Sequence, residues 1–205
     1  MKTLIVGVPR SGTTSLLRGM KKVSNCDILS EPHNSKTKNH QHNLKDMNID
    51  INNVCVKTLV YHRPRTYIGS SLEYIFNFTK EFNNIILLDR IDYKEHLDSF
   101  AHLVYRLHRD ESVFRRWKSS DIPNDWKNEF IDELDKTLKE YKKELTELSN
   151  RLNIQPTWYE ELYGSDRNKS LKIIEKWGID IDSNALNEYL HPRHKLKVLS
   201  KKSVI

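Results

Sequence analysis

The chain has 205 residues, with 34 Lys and Arg against 28 Asp and Glu for a formal charge of +6, and this length suits one domain around one sizeable core. Apolar residues at 37% and charged residues at 30% keep it away from the composition of disordered chains, while acidic residues interleaved along the chain make the excess charge weak evidence for nucleic acid. The longest apolar stretches, Thr3 to Val8 and Ile85 to Leu88, fall far short of the about 20 residues that cross a bilayer, and no small-residue cleavage site follows the first of them. A cytoplasmic protein without nucleic-acid or membrane partners is expected.

Thr3 to Val8 reads as a strand buried on both faces, followed by a Pro-Arg-Ser-Gly turn and a helix from Thr13 to Val23. Residues 33–53, rich in His, Asn and Lys without apolar periodicity, read as a long mobile surface loop. Val54 to Val60 is the second strand, Pro64 opens a helix over 65–82, and Ile85 to Asp89 is the third strand. A helix from Asp92 to Arg109 carries Leu97, Phe100, Ala101, Val104 and Leu107 on one face. Over 127–152 the series Leu134, Leu138, Tyr141, Leu145, Leu148 and Leu152 steps by three and four, the pattern of a long helix packing on its own domain, with a coiled-coil dimer as the alternative. Ile154 to Tyr159 suggests another strand, and Asp166 to Trp177 a helix that Gly178 ends. The segment 192–205 is basic, with alternating Leu196-Lys197-Val198-Leu199. Cys26 and Cys55 stand outside any metal-ligand spacing and read as reduced and buried. Alternating strands and helices predict an α/β fold with a mostly parallel sheet and a helix-rich second half, in one domain spanning 1–205.

Gly7-Val8-Pro9-Arg10-Ser11-Gly12-Thr13-Thr14 has the glycine spacing of a phosphate-binding loop and lies between a first strand and a helix N-terminus, so a P-loop-type three-layer αβα arrangement is expected. Backbone N–H groups there, with hydroxyls from Ser11, Thr13, Thr14 and Ser15, suit a phosphate-like oxyanion. The Lys that nucleoside-triphosphate loops place after the second glycine is here Thr13, and the cation is Arg10, inside the loop.

Residues 9–14 resemble the 5′-phosphosulfate loop, Pro-Arg/Lys-Ser-Gly-Thr-Thr, of sulfotransferases that use 3′-phosphoadenosine 5′-phosphosulfate (PAPS). With Leu17-Arg18-Gly19-Met20 the stretch is most similar to tyrosylprotein sulfotransferases and some bacterial carbohydrate sulfotransferases. In that branch a catalytic Glu follows the loop Arg at a spacing that falls on Glu31, 21 residues after Arg10. The resemblance implies that Arg90, at a strand end, and Ser99 bind the donor's 3′-phosphate, although Ser99 lies one residue beyond the family spacing and Asp98 stands at it. Trp158-Tyr159-Glu160-Glu161-Leu162 resembles the family's Tyr-Glu-Asp-Leu strand end, which puts Tyr159 either at the adenine or in the core. Arg193 and Lys195 resemble the family's C-terminal segment that closes over the nucleotide.

The implied reaction moves a sulfuryl group in line to an acceptor hydroxyl of a glycan, a small molecule or a tyrosine, releasing 3′,5′-adenosine bisphosphate. Arg10 would stabilise the leaving oxygen, Glu31 would act as base, and Lys57, a cation within an apolar strand, would meet the sulfuryl oxygens or, on an edge strand, face water. No metal is expected: His33, His40 and His42 form a poor ligand set. The 33–53 loop and the segment from Arg115 to Trp126, with Trp117 and Trp126, are candidates for shaping the acceptor pocket. The alternatives are a P-loop nucleotide kinase or NTPase, with Asp89 as its Mg²⁺-binding carboxylate, and a nucleotide-binding protein without turnover.

Overall fold

A computed structural model describes residues 1–32, 52–63, 67–108 and 122–191. Along the chain run β1 (Lys2–Gly7), α1 (Thr13–Val23), β2 (Asp27–Ser30), β3 (Val54–Leu59), α2 (Ser71–Thr79), β4 (Asn84–Asp89), α3 (Tyr93–His108), α4 (Asn124–Leu152), β5 (Thr157–Trp158), α5 (Tyr159–Leu162), α6 (Arg167–Lys176) and α7 (Ser183–Leu190). The strands form one sheet in the order β2-β3-β1-β4-β5, with every pairing parallel. The expected α/β, three-layer αβα architecture is what forms.

Period-two alternation divides the central strands between two cores. Leu4, Val6, Val54, Val56 and Leu87 join Ile75, Phe78, Phe100 and the α4 leucines on one face, while Ile5, Cys55, Ile86 and Leu88 meet Leu16, Leu17, Met20, Ile174 and Leu186 on the other. Both faces being covered explains the near-continuous apolar runs in β1, β3 and β4. Cys26 and Cys55 are free and buried.

Leu134, Leu138, Leu145 and Leu148 of α4 bury against the chain itself. Asp166 caps α6 by accepting from the N–H groups of Asn168 and Lys169, and Gly178 follows it at φ 61, as the residue pattern implies. The structure departs from four expectations. The helix expected over 65–82 begins at Ser71, because Gly69 at φ 144 is outside helical space and Ser70 caps by accepting from Glu73 N–H; residues 64–66 lie outside the described ones. The strand expected over 154–159 shrinks to two residues, since Pro156 has no N–H for a ladder and Tyr159 already opens α5. Leu107 is 49% exposed, having rotated about 80° from the line of Leu97 at 100° per residue. Trp126 packs on Tyr105 and Phe130 at the edge of the core and does not border the candidate site. β2, α5 and α7 had no counterpart in the sequence pattern. No helix among the described residues is long and apolar enough to cross a membrane.

Candidate functional site

The chain leaves β1 with β3 on one side and β4 on the other, so the topology reverses at the C-terminal end of β1, where open α/β sheets form a crevice. A cavity of about 280 Å³ lies there. The loop after β1 contributes Arg10, Gly12, Thr13, Thr14 and Ser15; Glu31 follows β2, Lys57 belongs to β3, Arg90 follows β4, Ser99 comes from α3 and Tyr159 opens α5. Of the candidate site residues singled out from the sequence, eleven are described and ten line this one cavity.

The exception is Ser11, which is fully buried and donates its hydroxyl to Val8 C=O at 2.8 Å. Its N–H bonds the same carbonyl at 3.2 Å. Ser11 therefore closes the turn from beneath instead of offering its hydroxyl to the cavity. Arg193 and Lys195, residues 33–51, the three loop histidines and Trp117 lie outside the described residues.

Two glycines set the loop's shape. A Cβ on Gly7 would stand 2.6 Å from both Ser11 Oγ and Thr13 Cγ2, and one on Gly12, at φ 90, would stand 2.7 Å from Tyr163 Cε2. Gly12 is also the N-cap of α1 and brings no capping side chain. The first N–H groups of the helix have no intrahelical acceptor, so they and the positive helix end remain available to an anion at Thr13 to Ser15. Two side chains fasten the loop from behind: Tyr163 donates to Gly12 C=O at 2.8 Å, and the fully buried His96 donates through Nε2 to Pro9 C=O at 2.7 Å. Burial pushes His96 down to about 4, so it is neutral at pH 7, with its hydrogen on the nitrogen that faces the Pro9 acceptor.

Arg10 itself has φ 69, a left-handed conformation costly for a side chain of this size. Its Nε donates to Ser99 Oγ at 2.9 Å, which places Ser99 in the cavity wall. One residue earlier and about 100° around α3, Asp98 pairs with Lys127 instead. Burial, then the nearby Arg106 and Arg90 charges, lower the Arg10 pKa against a raising effect of Tyr159; the guanidinium keeps a solvent-exposed side and remains a cation.

Lys57 is not on an edge: β3 lies between β2 and β1 and every residue in it is buried. The water-facing reading of Lys57 is therefore wrong. Its ammonium bonds Glu31 Oε1. Glu31, at φ 56, turns back over the end of β3, its N–H donating to Lys57 C=O at 2.7 Å. His62 Nε2 stands 4.0 Å from Glu31 Oε2, while Leu59 N–H donates to His62 Nδ1 at 3.4 Å. Burial brings His62 to about 4, with Glu31 opposing and Lys57 adding to the shift. A half-buried carboxylate thus faces the cavity between an ammonium and a neutral imidazole.

At the far side, Arg90 lies over the Tyr159 ring at 4.5 Å. Glu160 and Glu95 hold its guanidinium at 3.4 Å and 2.8 Å. Burial raises the Glu160 pKa, but the N–H groups of Ile91 and Asp92 and the Arg90 side chain bring it below its ordinary value. Asp89 is turned away from the cavity. It accepts from Arg90 N–H at 2.7 Å and from Lys142 Nζ at 2.5 Å.

The pattern reading missed Tyr163, His62, His96, Glu95 and Glu160. Only Tyr163 had a local signal, four residues after Tyr159 on the same helical face. No protein-family model matches the chain, and no curated protein matches it. The functional reading therefore rests on this geometry and on the loop residues themselves.

Proposed function

We propose that this protein is a sulfotransferase that moves the sulfuryl group of PAPS to an acceptor hydroxyl and releases 3′,5′-adenosine bisphosphate. The observation that carries the reading is Arg10: a phosphate-binding loop holds an Arg where it can reach a leaving oxygen and no Lys after Gly12, and it shares its cavity with a Glu31–Lys57 pair. The loop N–H groups and the hydroxyls of Thr13, Thr14 and Ser15 suit the donor's 5′-phosphate. Arg90 and Ser99 suit its 3′-phosphate, and the Tyr159 ring offers a face beside Arg90 for the base.

In the transfer, the acceptor oxygen forms a bond to sulfur as the bond from sulfur to the bridging phosphate oxygen breaks, and the acceptor proton passes to Glu31. Arg10 takes the charge developing on the bridging oxygen through charge-assisted hydrogen bonds. Lys57 exchanges part of its contact with Glu31 for a sulfuryl oxygen as Glu31 gains the proton. Acceptor hydroxyls of a glycan, a small molecule or a tyrosine fit this chemistry equally.

The kinase alternative asks Asp89 to hold Mg²⁺, and the burial of that carboxylate against Lys142 and Arg90 N–H counts against it. Thermal unfolding tests the reading: 3′,5′-adenosine bisphosphate at a hundred times its Kd adds about 2.7 kcal/mol to a fold that alone binds it. Stabilisation by the bisphosphate without Mg²⁺, and not by ADP or ATP, is the expected result. A response confined to ATP with Mg²⁺ overturns it in favour of the kinase.

A further inference from the structure

Arg90 has 9% of its side chain exposed, and its two carboxylate partners are held very differently. Glu160 is anchored: its Oε2 accepts from Ile91 N–H at 2.8 Å and its Oε1 from Asp92 N–H at 3.3 Å. Glu95 is 70% exposed, and its carboxylate accepts from Arg90 Nη2 at 2.8 Å. Asp92 and Glu95 have the spacing of a capping box, since Asp92 Oδ1 accepts from Glu95 N–H at 2.9 Å. The reciprocal bond, from Asp92 N–H to the Glu side chain three residues on, is taken by Glu160. Helix α3 therefore starts without using the Glu95 carboxylate, which leaves that group to its contact with Arg90.

From this arrangement, and resting on the donor reading above, we propose that Glu95 is the removable counter-ion of Arg90. The 3′-phosphate of a nucleoside bisphosphate displaces it, and its competition keeps the bisphosphate exchangeable. A phosphate monoester carries about −1.5 to −2 charge at pH 7 and accepts from the same guanidinium edge. On its arrival Glu95 swings into water while Glu160 keeps its backbone anchors. Glu95 opposes the phosphate twice, by occupying Arg90 Nη2 and by like-charge repulsion. It leaves untouched a nucleotide that has a hydroxyl at that position. Donor and spent product both carry this phosphate, so Glu95 weakens both and speeds product release, a step that limits many enzymes.

The variant Glu95→Gln tests the proposal by calorimetric titration at fixed ionic strength. The Kd for 3′,5′-adenosine bisphosphate is expected to fall about fivefold, from an ion pair worth up to about 1 kcal/mol, with dissociation slowed to match, while the Kd for 5′-AMP stays unchanged. An unchanged bisphosphate Kd, or equal tightening of both nucleotides, overturns it. A second measurement follows the Arg90 guanidinium resonance by NMR as inorganic phosphate is added, assigned with Arg90→Lys. The phosphate concentration at half-shift is expected to fall in Glu95→Gln, and an unchanged half-point overturns the exchange. If neither nucleotide binds while the phosphate titration behaves as expected, the donor reading falls and the exchange at Arg90 stands.

Discussion

Replacing Lys57 by methionine keeps a long side chain in the middle of β3 and removes its ammonium, leaving Glu31 without its closest cation. Breaking a buried ion pair from one side costs about 3 to 5 kcal/mol. The Lys57 side chain is 5% exposed and that of Glu31 21%, so the remaining carboxylate keeps a path to water and the lower end, about 3 kcal/mol, is expected. In a chain of 205 residues that is a fall in Tm of about 6 to 12 °C. Lys57→Met combined with Glu31→Gln removes both charges and recovers most of the loss, because exchanging a whole buried pair for uncharged groups is often close to neutral. Urea unfolding of parent, single and double variants at pH 7, followed by circular dichroism, gives both numbers. A Lys57→Met protein within about 0.5 kcal/mol of the parent, the range of ordinary surface substitutions, refutes the reasoning. So does a double variant no more stable than the single one.

Gly12→Ala forces a Cβ against the Tyr163 ring at φ 90; it should cost about 1 to 3 kcal/mol and abolish bisphosphate binding, and full binding at parental stability would count against the loop geometry. His96 ordinarily titrates at 6.5 and in the fold at about 4, so the unfolded chain takes up the proton first. Its contribution is complete above pH 6.5 and is lost as pH falls toward 4, amounting to roughly 3 kcal/mol. Glutamine at position 96 can still donate to Pro9 but does not titrate, so His96→Gln should flatten stability against pH in that window; a slope equal to the parent's would contradict the assignment. Glu31→Gln should cut kcat at least about a hundredfold and leave bisphosphate affinity intact in a titration. A loss of both in equal measure would mark Glu31 as structural.

The parts of the site that could be read from residue order are those fixed by local rules. Gly7, Gly12 and the hydroxyl run after a buried strand specify a loop geometry by themselves, and β1, α1, β3, β4, α3, α4 and α6 follow from apolar period and caps. β2 escaped because Asp27–Ser30 is a four-residue edge strand with exposed ends, too short to display a period. Lys57 was legible as a charge in an apolar strand, but its partner was not, since Glu31 reaches it through a parallel pairing of two strands separated by a long connection. Arg90 was legible as the end of β4. Its pairing with Glu160 depends on β5 arriving beside β4 from 70 residues away, which no spacing encodes. Ser11 misled because its residue type suits an anion, whereas the turn uses its hydroxyl internally.

The clasp between Tyr163 and Gly12 joins residues 151 positions apart. During synthesis β1 and its loop emerge early, yet the loop acquires its second fastening only after α5 has left the ribosome. Chains ending before Tyr159 contain Arg10, Glu31, Lys57 and Arg90 without the Tyr159 wall or the clasp. Long-range closures of this kind form late and slow folding. On the proposed reading, anion affinity at Gly12 belongs to chains that have passed Tyr163, and retention on an immobilised bisphosphate would separate them from shorter or half-folded material.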